Sequence, residues 1–109
     1  MKPTDFTWAI GEAWASQAIE APDGKFYFYV STQCGDPDCK AVGVAVADRP
    51  EGPYVDAIGE PLIVDSMTDN GPRGWWNDFD PTVMIDDDGT PWMSWGNGTC
   101  FLVKLKKNM

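Results

Sequence analysis

Proton transfer in this chain has to come from carboxylates. There is no histidine, so a His-based triad, an imidazole metal site and an imidazole pH switch are excluded together. Asp and Glu number seventeen against eight Lys and Arg, a formal net charge of −9 over 109 residues. Two acidic groups stand out by position. Asp78 and Asp80 flank Phe79 just before Pro81, where an Asp-Pro pair commonly initiates a turn. Asp86-Asp87-Asp88 precedes Gly89 and looks like a calcium loop, but its spacing is not that of an EF-hand, so a hairpin tip is expected. Cys34 and Cys39 lie in a Gly- and Pro-containing stretch that permits either free thiols or a loop disulfide, and Cys100 is the odd one out. With no second Cys pair and no His to complete a zinc set, no metal and no cofactor are expected.

These groups sit between short alternating segments punctuated by Gly, Pro and Asp, with no convincing helical run. Ala15 to Glu20, the turn Ala21-Pro22-Asp23-Gly24, and Lys25 to Ser31 read as a strand, an Asp-Gly turn and a strand. Ala41 to Ala47 is a third strand, closed by Pro50 and Pro53, and Pro61 to Val64 a short fourth. Residues 66 to 78 read as a polar loop containing Trp75 and Trp76. The pattern then recurs: Asp80 to Ile85, a turn at Asp86 to Gly89, Pro91 to Gly96, and Cys100 to Leu105. Shifting by 65 residues lays Gly89 on Gly24, Asp88 on Asp23 and Trp92 on Tyr27. Antiparallel units repeating at this interval predict an all-β fold of propeller blades.

The class is bounded by composition. Hydrophobic residues at 43% supply a core, and the acidic balance argues against nucleic acid or an anionic membrane surface as partner. Six tryptophans in an acidic, His-free chain suit a sugar-handling surface. No signal peptide and no stretch of about 20 apolar residues is visible, so a soluble protein is expected, cytoplasmic or secreted with its leader removed.

The order of motifs is more specific. Trp14-Ala15, Gly24-Lys25-Phe26-Tyr27, Gly43 to Asp48 with Gly52-Pro53, and Asp56 to Ile63, followed by Phe79-Asp80-Pro81 to Gly89 and Ser94-Trp95-Gly96, resembles glycoside hydrolase family 43. Members include β-xylosidases, α-L-arabinofuranosidases and arabinanases, and the similarity runs from about Asp5 to Met109. The invertase-type five-bladed family is a poorer match, because Phe79 stands where those enzymes place arginine. The resemblance implies a partial five-bladed β-propeller of about two four-stranded antiparallel blades: residues 1–13 a remnant of a preceding blade, 14–65 a blade, 66–79 a loop and 80–109 an incomplete blade.

It also implies inverting hydrolysis, in which a general acid protonates the leaving oxygen and a general base activates water on the opposite face. A third carboxylate holds the acid and raises its pKa by like-charge repulsion. Asp80 matches that third carboxylate, with the fixed φ of Pro81 helping to aim the backbone. The family's base falls before anything matching Met1 and its acid after anything matching Met109, so this chain is expected to carry one of the three. Trp14, Trp95, Asp78 and Trp76 are the candidate substrate-binding residues, with gap-filling between blades the other reading for Trp14 and Trp95. The expected partner is a carbohydrate built from xylose or arabinose. The expected state is a homo-oligomer joined through exposed blade edges, and a non-catalytic glycan-binding or self-assembling module is the alternative.

Overall fold

Two Asp-Gly turns, Asp23-Gly24 and Asp88-Gly89, set the architecture. The computed structural model describes residues 1–2, 5–35, 39–68 and 77–109, and the strands among them form two antiparallel sheets without an α-helix. In the first sheet β1 (Ala9–Glu20), β2 (Phe26–Cys34) and β3 (Lys40–Ala47) pair in that order. β4 (Val55–Asp56) and β5 (Ile63–Val64) both pair with β3. The second sheet holds β6 (Thr82–Ile85), β7 (Pro91–Trp95) and β8 (Phe101–Lys104).

The 65-residue offset is reproduced bond for bond. The Ala21 N–H donates to the Lys25 carbonyl at 2.9 Å, as Asp86 does to Thr90 at 3.0 Å. Gly24 donates to Ala21 and Gly89 to Asp86, each at 2.9 Å. Gly24 and Gly89 have φ of 79° and 81°, the left-handed conformation in which a glycine has no Cβ to clash. Asp23 and Asp88 accept from the backbone N–H of Lys25 and Thr90 at 2.9 and 2.8 Å. Asp86 and Asp88 of the acidic triplet are therefore occupied in turn geometry, Asp86 accepting in addition from Asp88 N–H and from the Trp92 indole.

Some boundaries differ from the sequence reading. β1 starts at Ala9 instead of Ala15, because its first residues go on pairing with β2 through a series of register shifts. The fourth strand is split: Val55–Asp56 pairs with one end of β3 and Ile63–Val64 with the other, and Gly59 at φ 76° and Pro61 lie in the bulged span between them. Of the two states open to Cys34 and Cys39, the structure takes the disulfide, with Cα atoms 5.3 Å apart; Cys100 is free and exposed.

Alternation along the strands places two apolar faces on the first sheet. Tyr27, Tyr29, Val42 and Val44 pack with Val83, Met93 and Trp95 of the second sheet. Val30 and Ala45 face the other way, against Phe6, with Trp8, Phe28 and Tyr54 around them. Gly43 is required there: a Cβ at this position would lie 2.9 Å from the Phe6 ring. Between the sheets, the Gln17 side chain stands in for a strand. Its amide donates to the Val83 carbonyl at 2.9 Å and accepts from the Val83 N–H at 2.5 Å, tying β1 to β6.

Candidate functional site

Asp80 lies at the head of β6 and is exposed, yet its backbone is tightly held. The Phe79–Asp80 peptide is gripped from both sides: the Phe79 carbonyl accepts from Gly96 N–H at 2.7 Å, and Asp80 N–H donates to the Ser31 hydroxyl at 2.9 Å. Ser31 is fully buried on β2, so this partner cannot drift. The grip fixes Asp80 at φ 57°, left-handed for a non-glycine residue and unusual before a proline. Strain of this kind persists only where surrounding structure over-determines it. The carboxylate makes no hydrogen bond or ion pair to another described residue and opens on a shallow cleft of about 210 Å³ lined by Ala15, Ser16, Gln17, Pro81 and Thr82.

The 65-residue shift that aligns the turns also lays Trp14-Ala15 on Phe79-Asp80. Ala15, at φ 40°, has the same left-handed kink as Asp80. Each unit thus presents an aromatic residue and a kinked neighbour, within β1 in the first and just ahead of β6 in the second, and only the second copy carries a carboxylate there. The two aromatics meet, with Trp14 and Phe79 ring centroids 5.0 Å apart and planes tilted by 38°. Trp14 is 37% exposed, whereas Phe79 is buried. Trp14 and Asp80 are thereby brought to one region through Phe79.

The remaining predicted residues are elsewhere. Asp78 and Trp95 are buried together, the Trp95 indole donating to Asp78 at 3.3 Å and stacking on Phe101 at 5.4 Å. Thr68 donates to the second Asp78 oxygen at 3.2 Å. Burial pushes the Asp78 carboxyl above its ordinary pKa; the Thr68 and Trp95 hydrogen bonds pull the other way, and the nearby Asp65 charge adds to the rise. Asp78 and Trp95 are thus hydrogen-bonded to each other in the interior, and neither presents an open surface to a ligand. Trp76 lies outside the described residues.

Sequence reasoning missed Ser31 and Lys40. Lys40 is 3% exposed, pairs with Glu12 at 2.5 Å and stands 4.5 Å from the Trp14 ring centroid. No sequence signal marked Ser31 or Lys40; strand register places Gly11, Gln33 and Lys40 side by side across β1, β2 and β3.

Known proteins are similar to this chain in sequence and in fold. An arabinoxylan arabinofuranohydrolase of Bacillus subtilis (strain 168) is 39% identical over 94 residues, 84% of this chain and 17% of that enzyme. An extracellular endo-α-(1→5)-L-arabinanase of Thermotoga petrophila is 34% identical over 109 residues, 89% of this chain and 23% of the enzyme. The solved structure of an α-L-arabinofuranosidase from Clostridium thermocellum matches with a TM-score of 0.76 at 34% identity, over 94% of this chain and 32% of the other. This chain therefore spans between 17% and 32% of the length of these relatives. The model of glycosyl hydrolases family 43 matches residues 1–108, and with these relatives it shows that the chain belongs to that family.

Proposed function

We propose that this chain supplies the third carboxylate and one aromatic wall of a glycoside hydrolase site acting on xylose- or arabinose-containing plant polysaccharides or their oligosaccharides. The observation that carries the reading is Asp80, an exposed carboxylate held in a left-handed conformation by the Ser31 hydroxyl and the Gly96 N–H beside a cleft. A carboxylate in this role need not touch the scissile bond. Its charge disfavours ionisation of a nearby general acid, which keeps that acid protonated near neutral pH and ready to donate to the leaving oxygen. The exposed part of Trp14 offers an apolar surface against which a sugar ring can stack.

Inversion needs two further carboxyl groups, roughly 6.5–9.5 Å apart, and no residue of this chain matches the family's base or acid. The two sheets then act as neighbouring blades of a five-bladed propeller, one spanning 14–65 after a remnant at 1–13, the other incomplete over 80–109. The missing carboxylates come from outside this chain, through further propeller sequence or through association of copies. Hydrolysis of aryl xyloside and aryl arabinofuranoside, measured together with light scattering, tests this. Activity should appear only in an assembled or extended species and should vanish in Asp80→Asn. Efficient turnover by a monodisperse monomer of the 109-residue chain would show that the acid and base lie among residues assigned no such role.

One observation favours a non-catalytic, self-assembling module as the second reading. Met84 and Leu102 are 56% and 67% exposed on the uncovered face of the second sheet. Sugar binding and association by the wild-type chain, with no hydrolysis in any assembled or extended species, support it over the first.

A further inference from the structure

Behind Trp14 lies a feature that a strand built only for stability would not carry. β1 shifts register between Gly11 and Trp14 and again between Trp14 and Gln17, and Glu12 and Ala15 on either side of Trp14 have φ of 61° and 40°. Such bulges re-aim side chains and are frequent next to functional sites. This one is gripped from β2 and β3. The Thr32 hydroxyl, fully buried, lies 2.9 Å from both the Gly11 and the Glu12 carbonyls. Lys40 reaches from β3 across β2 to Glu12, its ammonium 2.5 Å from the carboxylate.

That ammonium also sits beside two rings. It is 4.5 Å from the Trp14 centroid and 5.6 Å from the Phe79 centroid, and the rings are 5.0 Å from each other. Lysine is rarely buried, and a buried ion pair is weak evidence for stability because a well-packed apolar replacement is often neutral or better. A cation near aromatic ring faces is attracted by them and fixes their mutual orientation. Lys40 therefore links three things: the strained bulge through Glu12, the exposed indole of Trp14, and Phe79, the residue next to Asp80. We infer that Lys40 is a positioning residue that holds the Trp14 platform in register with Asp80, so that a sugar ring stacked on Trp14 meets the carboxylate. This rests on the reading of Trp14 as a wall of the sugar site.

The test is a titration of the 109-residue chain, ¹⁵N-labelled, with xylotetraose and with arabinotriose, followed through the tryptophan indole N–H resonances. The probed chains are wild type, Trp14→Ala, Lys40→Met and Lys40→Arg, with thermal unfolding recorded for each. Wild type should bind one of the two sugars with the Trp14 indole shifting, and Trp14→Ala should lose that binding. Lys40→Met keeps the alkyl stem and removes the charge; it should bind about five- to tenfold more weakly while still folded, on the scale between an exposed and a desolvated cation–π contact. Lys40→Arg retains charge and stacking and should recover to within about twofold. A merely structural role for Lys40 would lower the unfolding temperature without weakening binding by the folded protein. Should Lys40→Met fail to fold, Glu12→Gln leaves Lys40 in place, releases the bulge and should weaken binding in the same direction. Wild-type affinity in folded Lys40→Met, or in Glu12→Gln where that variant stands in, overturns the role of Lys40 alone. Absence of wild-type binding to either sugar overturns the Trp14 platform itself, and the role of Lys40 with it.

Discussion

At the scale of single residues, the backbone and the side chain of Asp80 are under opposite demands. Its left-handed φ suits glycine better than any residue with a Cβ, so the carboxylate is retained against a local cost of about 1–2 kcal/mol for a side chain with no polar compensation. Asp80→Gly should accordingly unfold later than Asp80→Ala by about 1 kcal/mol, or about 4 °C in a domain of this size, although both lack the carboxylate. Equal melting temperatures would mean that the kink relaxes once the side chain is gone. Asp78, two residues earlier, makes a contrasting prediction. Its folded carboxyl holds a proton more tightly than the unfolded one, because burial opposes the charge. The folded state thus binds the extra proton at intermediate pH, and stability from this group falls as pH rises from the unfolded value of about 3.9 through the raised folded one, then levels off. Asp78→Asn has no such slope, so its stability relative to wild type should climb across that window in urea titrations between about pH 3 and pH 8. A difference that stays constant with pH contradicts the assignment.

Among the elements, the hairpins were legible in the sequence and the inner edges were not. Asp-Gly turns carry their own mechanism in two residues, which is why Gly24 and Gly89 fell where expected and why the repeat could be set at 65 from residue types alone. The start of β1 was misplaced because Gly11, Glu12 and Ala15 break the period-2 pattern, and an irregular stretch reads as a loop unless the partner strand is known. The halves of the fourth strand are two residues each, too short for any periodicity to show. Ser31, Gln17 and Lys40 were hidden for a related reason: each acts across a sheet or between sheets, at separations of 49, 66 and 28 residues from its partner, where local pattern carries no information. Gln17 offers the sharpest check at this scale. Its amide satisfies both the N–H and the carbonyl of Val83, so Gln17→Ala should cost about 1–3 kcal/mol, read as a lowered urea midpoint. Gln17→Glu should regain part of that loss below about pH 4, where the protonated acid can again donate. A neutral Gln17→Ala would show that the Gln17 amide contributes nothing to holding the two sheets together.

For the whole molecule, the open question is what covers the second sheet. Its inner face, through Val83 and Met93, is buried against the first sheet. Residues directly paired across strands share a face, so Met84 with Trp92, and Ser94 with Leu102, line the opposite side. Met84 and Leu102 are more than half exposed there, the surface on which a further blade or another copy would pack. The net charge of −9 resists pairing of two such chains, and this repulsion is long-range and screened by salt, whereas the apolar contact is not. Self-association of the 109-residue chain should therefore grow with concentration and grow further from low salt to about 0.5 M, where the Debye length shrinks to a few ångströms. Sedimentation velocity on wild type and on a Met84→Glu, Leu102→Glu double variant separates the possibilities. The variant should stay monomeric at both salts with little change in melting temperature, since neither side chain contributes to the core between the sheets. If the two proteins associate equally, the contact lies elsewhere, and the exposed Val55 and Ile58 beyond β3 become the next edge to charge. If wild type remains monomeric at high concentration and high salt, association of copies does not complete the proposed site.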